Sequence, residues 1–476
     1  MSLFLGVDIG TSSSKGVLVD SDGVVVRQAV REHEVERPRP GYVEMDAAVW
    51  RNEFLSLAEE LTTGVTVKAV GVSGMGPCVL ITDSKGTPRR KAILYGVDTR
   101  ATAEIEALTE ELGDEILERC GSVLSTQAVG PKLLWLARHE QVGEKLFMPA
   151  SWLVHQLTGE YTLDYHSASQ CTPLFDTHAL DWYRPWAERI APGLDLPPLA
   201  WPGDVAGVTR ETIGGIPAGT PVITGTIDAW TEAVSVGAQN PGDLMLMYGT
   251  TMFLIATVDR PLTNPALWGT VGAFPGTRNL AGGMATSGAI TAWLRDLSQA
   301  PYDQLLQEAE ESGPGARGLL MLPYFAGERT PVMDPDARGV IAGLTLDHTR
   351  GDLYRAALEA TAFGVRHNVE ALKEAGIRRV VAVGGGTRGG LWTRIVSDVT
   401  GLAQVVPRVT TGAAYGAAFL AAGDKDINAW NPPAEIVEPD PRHANDYDEL
   451  YALYRDLYPA TRSIAHTLAT RQRRTP

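Results

Sequence analysis

Apolar and polar positions along this chain single out one stretch near its start. Leu3 to Val7 is an apolar run and Val17-Leu18-Val19 another, with Gly10, Thr11, Ser12, Ser13 and Ser14 between them. The pattern predicts two buried strands joined by a tight polar turn, the glycine and hydroxyl residues supplying turn conformations and free backbone N–H groups. Asp8 falls among residues bound for a core, where a carboxylate is costly unless a cation or hydrogen-bond donors meet it. Asp8 facing a metal–phosphate site meets that condition. Asp8 merely ending a strand, with Ser12 to Ser14 as a surface turn, is the alternative.

The pattern returns in mid-chain as Asp243 to Tyr248, Gly249-Thr250-Thr251 and Met252 to Asp259. Two copies, each opening half the chain, predict a duplicated α/β domain, 1–240 and 241–476, with Gly237 to Gly242 as a hinge. Two Gly-Thr turns facing each other across a cleft would hold a polyphosphate from both sides.

Between the copies, Val24 to Arg31 continues an antiparallel meander, and Asp46 to Leu61 reads as a helix with Trp50, Phe54, Leu57 and Leu61 on one face. Val67 to Ser73 is a strand ending in Gly74-Met75-Gly76-Pro77, a loop that either lines a pocket at the strand end or is an ordinary turn. Asp98 and Arg100 follow another strand and either contact a substrate's hydroxyls or form an exposed ion pair. The spacing around Lys132 puts it on a solvated helix face. Trp152, Tyr165 and His166 are candidate substrate contacts, with apolar core as the commoner fate. Asp228 begins a helix after a short strand and is either its N-cap or a general base; the residue type by itself favours the cap.

In the second half, Arg378 to Val383 is a strand leading through Gly384-Gly385-Gly386-Thr387-Arg388-Gly389-Gly390 into a helix, Leu391 to Thr400. The loop satisfies G-x-G-x-x-G, so a dinucleotide site has to be weighed. The next strand, however, ends in Arg408 rather than an acid for a ribose, and an adenosine lying on a glycine-rich backbone explains the loop equally well. Gly412 to Ala418 begins a small-residue helix expected to pack closely behind it.

Composition narrows the classes. A net charge of -16 with no compensating basic block argues against nucleic acid or an acidic membrane surface as partner. Cys78, Cys120 and Cys171 are too few and scattered for a disulfide framework, so a reducing compartment is expected. With neither a leader-like nor a membrane-length apolar segment, the expected location is cytoplasmic. There is no Walker-type phosphate loop and no H-E-x-x-H metal pair.

These residues resemble the FGGY carbohydrate kinases of the actin-like ATPase superfamily, over nearly the whole chain. The resemblance rests on Gly6-Val-Asp8-Ile-Gly10-Thr11-Ser12 with Lys15, on Lys132-Leu-Leu-Trp135-Leu, and on Gly225 to Asp228. It continues through Gly249-Thr250, Gly327-Glu-Arg-Thr-Pro331 and Gly384-Gly-Gly386. Its most diagnostic part is Gly339-Val-Ile-Ala-Gly343-Leu344 followed by Asp352-Leu-Tyr-Arg-Ala-Ala-Leu-Glu359. The implied fold is two ribonuclease-H-like domains with a cleft between them, an N-terminal sugar-binding one carrying the catalytic aspartate and a C-terminal nucleotide-binding one.

By the same resemblance ATP and Mg²⁺ are the cofactors. Asp8 lies at the Mg²⁺–phosphate site, with Thr11, Ser12 and Lys15 near the transferred phosphate. Gly249 and Thr250 sit on the nucleotide phosphates, and Gly385, Gly386 and Thr387 along the adenosine. Asp228 matches the family's catalytic aspartate, reversing the preference for a cap. It would take a proton from a sugar hydroxyl as the hydroxyl attacks the γ-phosphorus, with domain closure excluding water. Met75, Gly76, Asp98, Arg100 and Trp152 are the sugar-binding candidates beside it.

Within the family the chain looks most like the xylulokinase branch, yet departs from it. Met75-Gly76-Pro77 replaces a Gln-Met-His segment, Tyr95-Gly-Val-Asp98-Thr-Arg100 replaces Trp-Asn-Asp-x-Arg, and Thr411 stands where an acid is usual. A ketopentose such as D-xylulose or D-ribulose is the implied acceptor; another polyol or a sugar acid, glycerol or gluconate, is the alternative. The partner is thus a small sugar, with no nucleic acid or membrane, and the oligomeric state is open, a homodimer included. Two other classes stay in play: a non-kinase actin-like nucleotide-binding protein, and an NAD(P)-dependent oxidoreductase using Gly384 to Gly389.

Overall fold

The computed structural model describes residues 2–423 and 425–474; Met1, Asp424, Thr475 and Pro476 lie outside the described residues. The chain divides into two compact units. The first comprises 1–240, 259–279 and 409–432, and the second 241–258, 280–408 and 433–476. Two later segments, 259–279 and 409–432, belong to the first unit, the latter for reasons visible in the helix Ala413–Ala421.

In the first unit the predicted hairpin forms from Leu3–Ile9 and Ser13–Asp20, and Val25–Glu32 extends it as a third antiparallel strand. Ala69–Gly74 lies parallel to Leu3–Ile9 on its other side, followed by Pro221–Ile223, parallel again, and the antiparallel edge strand Val205–Val208. The helix Ala47–Thr62, capped by the Asp46 side chain on the Ala48 N–H, covers one face with Trp50, Phe54, Leu57 and Leu61, the four residues its period selects.

The opposite face carries Ala413–Ala421. Its alanines and Gly416 allow backbone-to-backbone packing: a Cβ at Gly6 would lie 2.0 Å from the Ala414 carbonyl oxygen, and one at Gly71 2.0 Å from that of Ala417. Gly6 and Gly71 are register partners on adjacent strands, so together they form the groove that admits the helix. The expectation that this helix packs behind the Gly384–Gly390 loop is therefore corrected. It crosses back to the first sheet because that is where glycines leave room for it.

The second unit repeats the plan. Asp243–Tyr248 and Met252–Val258 form an antiparallel hairpin, Arg379–Val383 lies parallel to the first of these, and Gln404–Pro407 lies parallel to Arg379–Val383. Pro433–Val437 closes that edge antiparallel. Aligned on their Gly-Thr turns, the two hairpins put Met247 where the first has Asp8, so only the first copy carries an acid there. Among the described residues no helix is long and apolar enough to cross a membrane.

Candidate active site

The strand register of the first unit builds the site. Asp8, near the end of its strand, is flanked by Lys15 on one neighbour and Ser73 on the other. Asp8 Oδ1 is buried with no hydrogen-bond partner. Burial pushes its carboxyl up to about 6, against the opposing effects of the nearby Ser73 hydroxyl and the Lys15 charge.

Asp228 is the first residue of the helix Asp228–Ser235, and its Oδ1 accepts the Ala229 N–H at 2.7 Å. The cap reading is corrected: Ile227 is the N-cap residue, without a side-chain capping bond, and Asp228, one residue inside the helix, accepts the next residue's N–H while the charges of Asp8 and Glu232 act on it. Burial first, and the Asp8 charge second, raise its carboxyl well above the usual range. One turn further along the same helix stands Glu232, raised to about 7 by burial and by Asp8, with Lys15 and a hydrogen bond from the Ala413 N–H pulling the other way. Sequence reasoning passed over Glu232, although Asp-x-x-x-Glu at a helix start places two acids on one face.

Lys15 offsets Asp8 and Glu232 in part, while Asp228 is raised further by the charges of both acids. The orphaned Asp8 oxygen fits a hard divalent ion such as Mg²⁺. Among the described residues no group of three or more His, Cys, Asp or Glu side chains is placed to hold a metal ion. A cation at Asp8 would therefore take most of its ligands from phosphate and water, as Mg²⁺ commonly does.

Thr11 joins the site through its hydroxyl, 2.8 Å from the Tyr95 hydroxyl, while Ser12 is exposed on the turn. The Lys15 ammonium donates to the Thr411 carbonyl oxygen at 3.1 Å. Gly76 brings its backbone against Ile227, next to Asp228: a Cβ there would lie 2.6 Å from an Ile227 side-chain carbon.

Several expected contacts are corrected. Met75 is 1% exposed and packs in the apolar core. Trp152 is also core, edge-on to Trp50 with its Nε1 donating to the Gly86 carbonyl at 2.9 Å; an indole with its one donor satisfied inside the protein is a packing residue. Asp98 and Arg100 form a buried ion pair at 2.7 Å, not an exposed one. The Asp98 carboxylate also accepts the Val43 N–H at 2.6 Å, so it has no oxygen to offer a sugar. Arg100 reaches Glu44 at 2.8 Å and keeps one buried guanidinium nitrogen, Nη1, without a partner.

Lys132, placed on a solvated face by its spacing, is 1% exposed. Its ammonium donates to the Tyr95 carbonyl at 3.0 Å and the Thr126 carbonyl at 2.6 Å, and burial lowers its pKa to about 8. Periodicity missed it because a long side chain can reach polar acceptors from a buried position. His166, buried against Trp230 and hydrogen-bonded to the Val271 carbonyl at 2.6 Å, is likewise a core residue.

In the second unit the Gly249-Thr250 turn is tied to the start of the helix Gly288–Ser298. The Gly249 carbonyl accepts the Gly288 N–H at 2.9 Å, and the Thr250 carbonyl accepts those of Ser287 and Ala289 at 3.0 and 3.1 Å. The Thr250 side chain is exposed. Along the glycine loop, a Cβ at Gly384 would meet the Tyr248 carbonyl oxygen at 2.6 Å and one at Gly386 the Trp392 ring at 2.7 Å, whereas Gly385 has nothing within 4 Å. Packing thus explains Gly384 and Gly386, and Gly385 presents open backbone. The Thr387 hydroxyl donates to the Gly384 carbonyl at 2.9 Å and closes the turn.

Comparison with known proteins gives the family. Residues 3–235 match the N-terminal domain and 244–423 the C-terminal domain of the FGGY family of carbohydrate kinases. The chain is 26% identical to a xylulose kinase of Staphylococcus xylosus, over 96% of this chain and 100% of that one. It is 32% identical to a glycerol kinase of Nocardia farcinica, over 90% and 93%. The solved structure of xylulose kinase from Rhodospirillum rubrum superposes with a TM-score of 0.91 at 31% identity, covering 98% of this chain and 100% of that one. The protein belongs to the FGGY family of carbohydrate kinases.

Proposed function

We propose that the protein transfers the γ-phosphoryl group of ATP to a hydroxyl of a ketopentose such as D-xylulose or D-ribulose, with Asp228 as general base. The observation that carries this reading is the Asp228 carboxylate at its helix start, raised by burial and by an Asp8 whose Oδ1 has no partner. A base whose pKa lies well above the ordinary carboxylate range is better matched to a sugar hydroxyl than an ordinary carboxylate.

In the reaction the acceptor oxygen forms a bond to the γ-phosphorus, its proton passes to the Asp228 carboxylate, and the bond from that phosphorus to the bridging oxygen breaks, its electron pair leaving with ADP. Asp8 would hold Mg²⁺ through its open oxygen, and the ion would offset charge on the phosphate oxygens. Lys15 and the Thr11 hydroxyl stand near Asp8 to orient the transferred group. In the second unit, the Gly249-Thr250 turn and the open backbone at Gly385 suit the nucleotide, with Gly386 and Thr387 shaping the loop. The Gly76 backbone suits the acceptor, whereas the Arg100 guanidinium is buried over the Tyr42 and Trp135 rings. Three free, buried cysteines support a reducing, cytoplasmic setting.

A second reading, another polyol or a sugar acid such as glycerol or gluconate as acceptor, is supported by glycerol kinases standing beside xylulose kinases among the relatives. Coupled ADP release with MgATP across D-xylulose, D-ribulose, glycerol, other polyols and gluconate, with Asp228→Ala alongside, decides between them. Stimulation by one compound, lost in the variant while ATP still binds, is the expected result. Unchanged turnover in Asp228→Ala would remove the base assignment.

A further inference from the structure

Lys15 stands directly opposite Asp8 in the antiparallel register, a spacing at which opposite charges ordinarily meet. Here the ammonium instead donates to the Thr411 carbonyl oxygen at 3.1 Å, and Asp8 Oδ1 stays without a partner. Glu232 lies against the same turn. Its Oε2 lies 2.7 Å from where a Cβ at Gly412 would sit, so the carboxylate rests on the turn that carries Thr411. It also accepts the Ala413 N–H and attracts Lys15. A carboxylate against the first N–H groups of the helix Ala413–Ala421 is favourably placed for both the orphan donors and the helix dipole. Thr411 itself is neutral, so the charge at this helix start comes from Glu232, on the helix bearing Asp228.

We propose that Glu232 is a positioning residue: by holding the Thr411-Gly412-Ala413 turn and drawing Lys15 onto it, it keeps the ammonium from closing on Asp8 and leaves Asp8 Oδ1 open to a divalent cation. The proposal rests on the reading that Asp8 faces that cation. Without the Glu232 charge the nearest counter-ion for Lys15 is Asp8, and an Asp8 engaged with an ammonium competes with the metal.

The test is a double-mutant cycle read by Mn²⁺ binding, followed by electron paramagnetic resonance with and without ADP, on wild type, Glu232→Gln, Lys15→Met and the double variant. Glu232→Gln keeps an acceptor for the Ala413 N–H and removes only the charge. It is expected to weaken Mn²⁺ binding about 5-fold or more in the wild-type background and less than about 2-fold when Lys15 is Met, because the ammonium it restrains is gone. An equal loss in both backgrounds means that Glu232 acts on the cation directly through space and overturns the proposal. So does an unchanged affinity in Glu232→Gln. Thermal melts check that each variant is folded; if Glu232→Gln is not, Glu232→Asp, which keeps the charge but shortens its reach, takes its place, and a wild-type affinity there overturns the proposal. Absence of Mn²⁺ uptake by wild type also overturns it, while the kinase reading is judged separately by acceptor-stimulated ADP release.

Discussion

The Tyr95 hydroxyl lies 2.8 Å from the Thr11 hydroxyl, tying the loop after Ala92–Ile93 to the turn of the first hairpin within the first unit. Tyr95→Phe removes that bond and little else. A neutral hydrogen bond is worth about 0.5–1.5 kcal/mol, so kcat/KM for the acceptor should fall roughly 2- to 10-fold in coupled ADP release. No change would mean that the bridge does not shape the acceptor site.

Lys132 supports that loop from beneath, through the carbonyls of Tyr95 and Thr126. Lys132→Met should raise KM for the acceptor several-fold and change kcat less, because the loop loosens while Asp228 is untouched. It also has a pH signature. The wild-type ammonium is depressed from 10.5 to about 8, so between those values the unfolded chain binds more protons than the folded one and stability rises with pH. Melting curves of Lys132→Met should lack that rise; retaining it would assign the effect elsewhere.

The carboxylate cluster sets the acid limb of activity. Asp8 is raised to about 6, Glu232 to about 7 and Asp228 well above its ordinary value, and the base works only when deprotonated. Activity should therefore fall with dropping pH while still above the ordinary carboxylate range, with an apparent pKa belonging to the cluster rather than to one residue. Because the Glu232 charge raises Asp228, Glu232→Gln should move the limb to lower pH. A limb at the ordinary carboxylate position in wild type would contradict the burial argument.

Gly71→Ala tests the groove under the helix Ala413–Ala421. Its Cβ would fall 2.0 Å from the Ala417 carbonyl oxygen, backbone that can yield only if the helix moves. Overpacking of this kind costs about 1–3 kcal/mol or more, and the shift would carry Thr411 and Ala413 away from Lys15 and Glu232. A lowered melting temperature together with lost activity is expected; a variant with wild-type stability would show that the helix is not held so closely.

Local patterns specify the pieces of this fold. Two apolar runs around a Gly-Thr turn, met twice, specified two hairpins, and the 3.6-residue spacing of Trp50, Phe54, Leu57 and Leu61 specified a covering helix, because these patterns act over neighbouring residues. Family motifs marked Asp8 and Asp228. Which polar residues are already satisfied emerges from the folded chain: Asp98 by Arg100 and Val43, Lys132 by two carbonyls, Trp152 by Gly86. So does the convergence of Glu232 and Lys15 on a turn that lies 396 residues from Lys15 along the chain. Burial and partnership depend on what the rest of the chain brings alongside, and no local pattern records that. The same reason explains the helix Ala413–Ala421, whose small residues announced close packing but not its partner, which was fixed by the glycines at positions 6 and 71 on neighbouring strands.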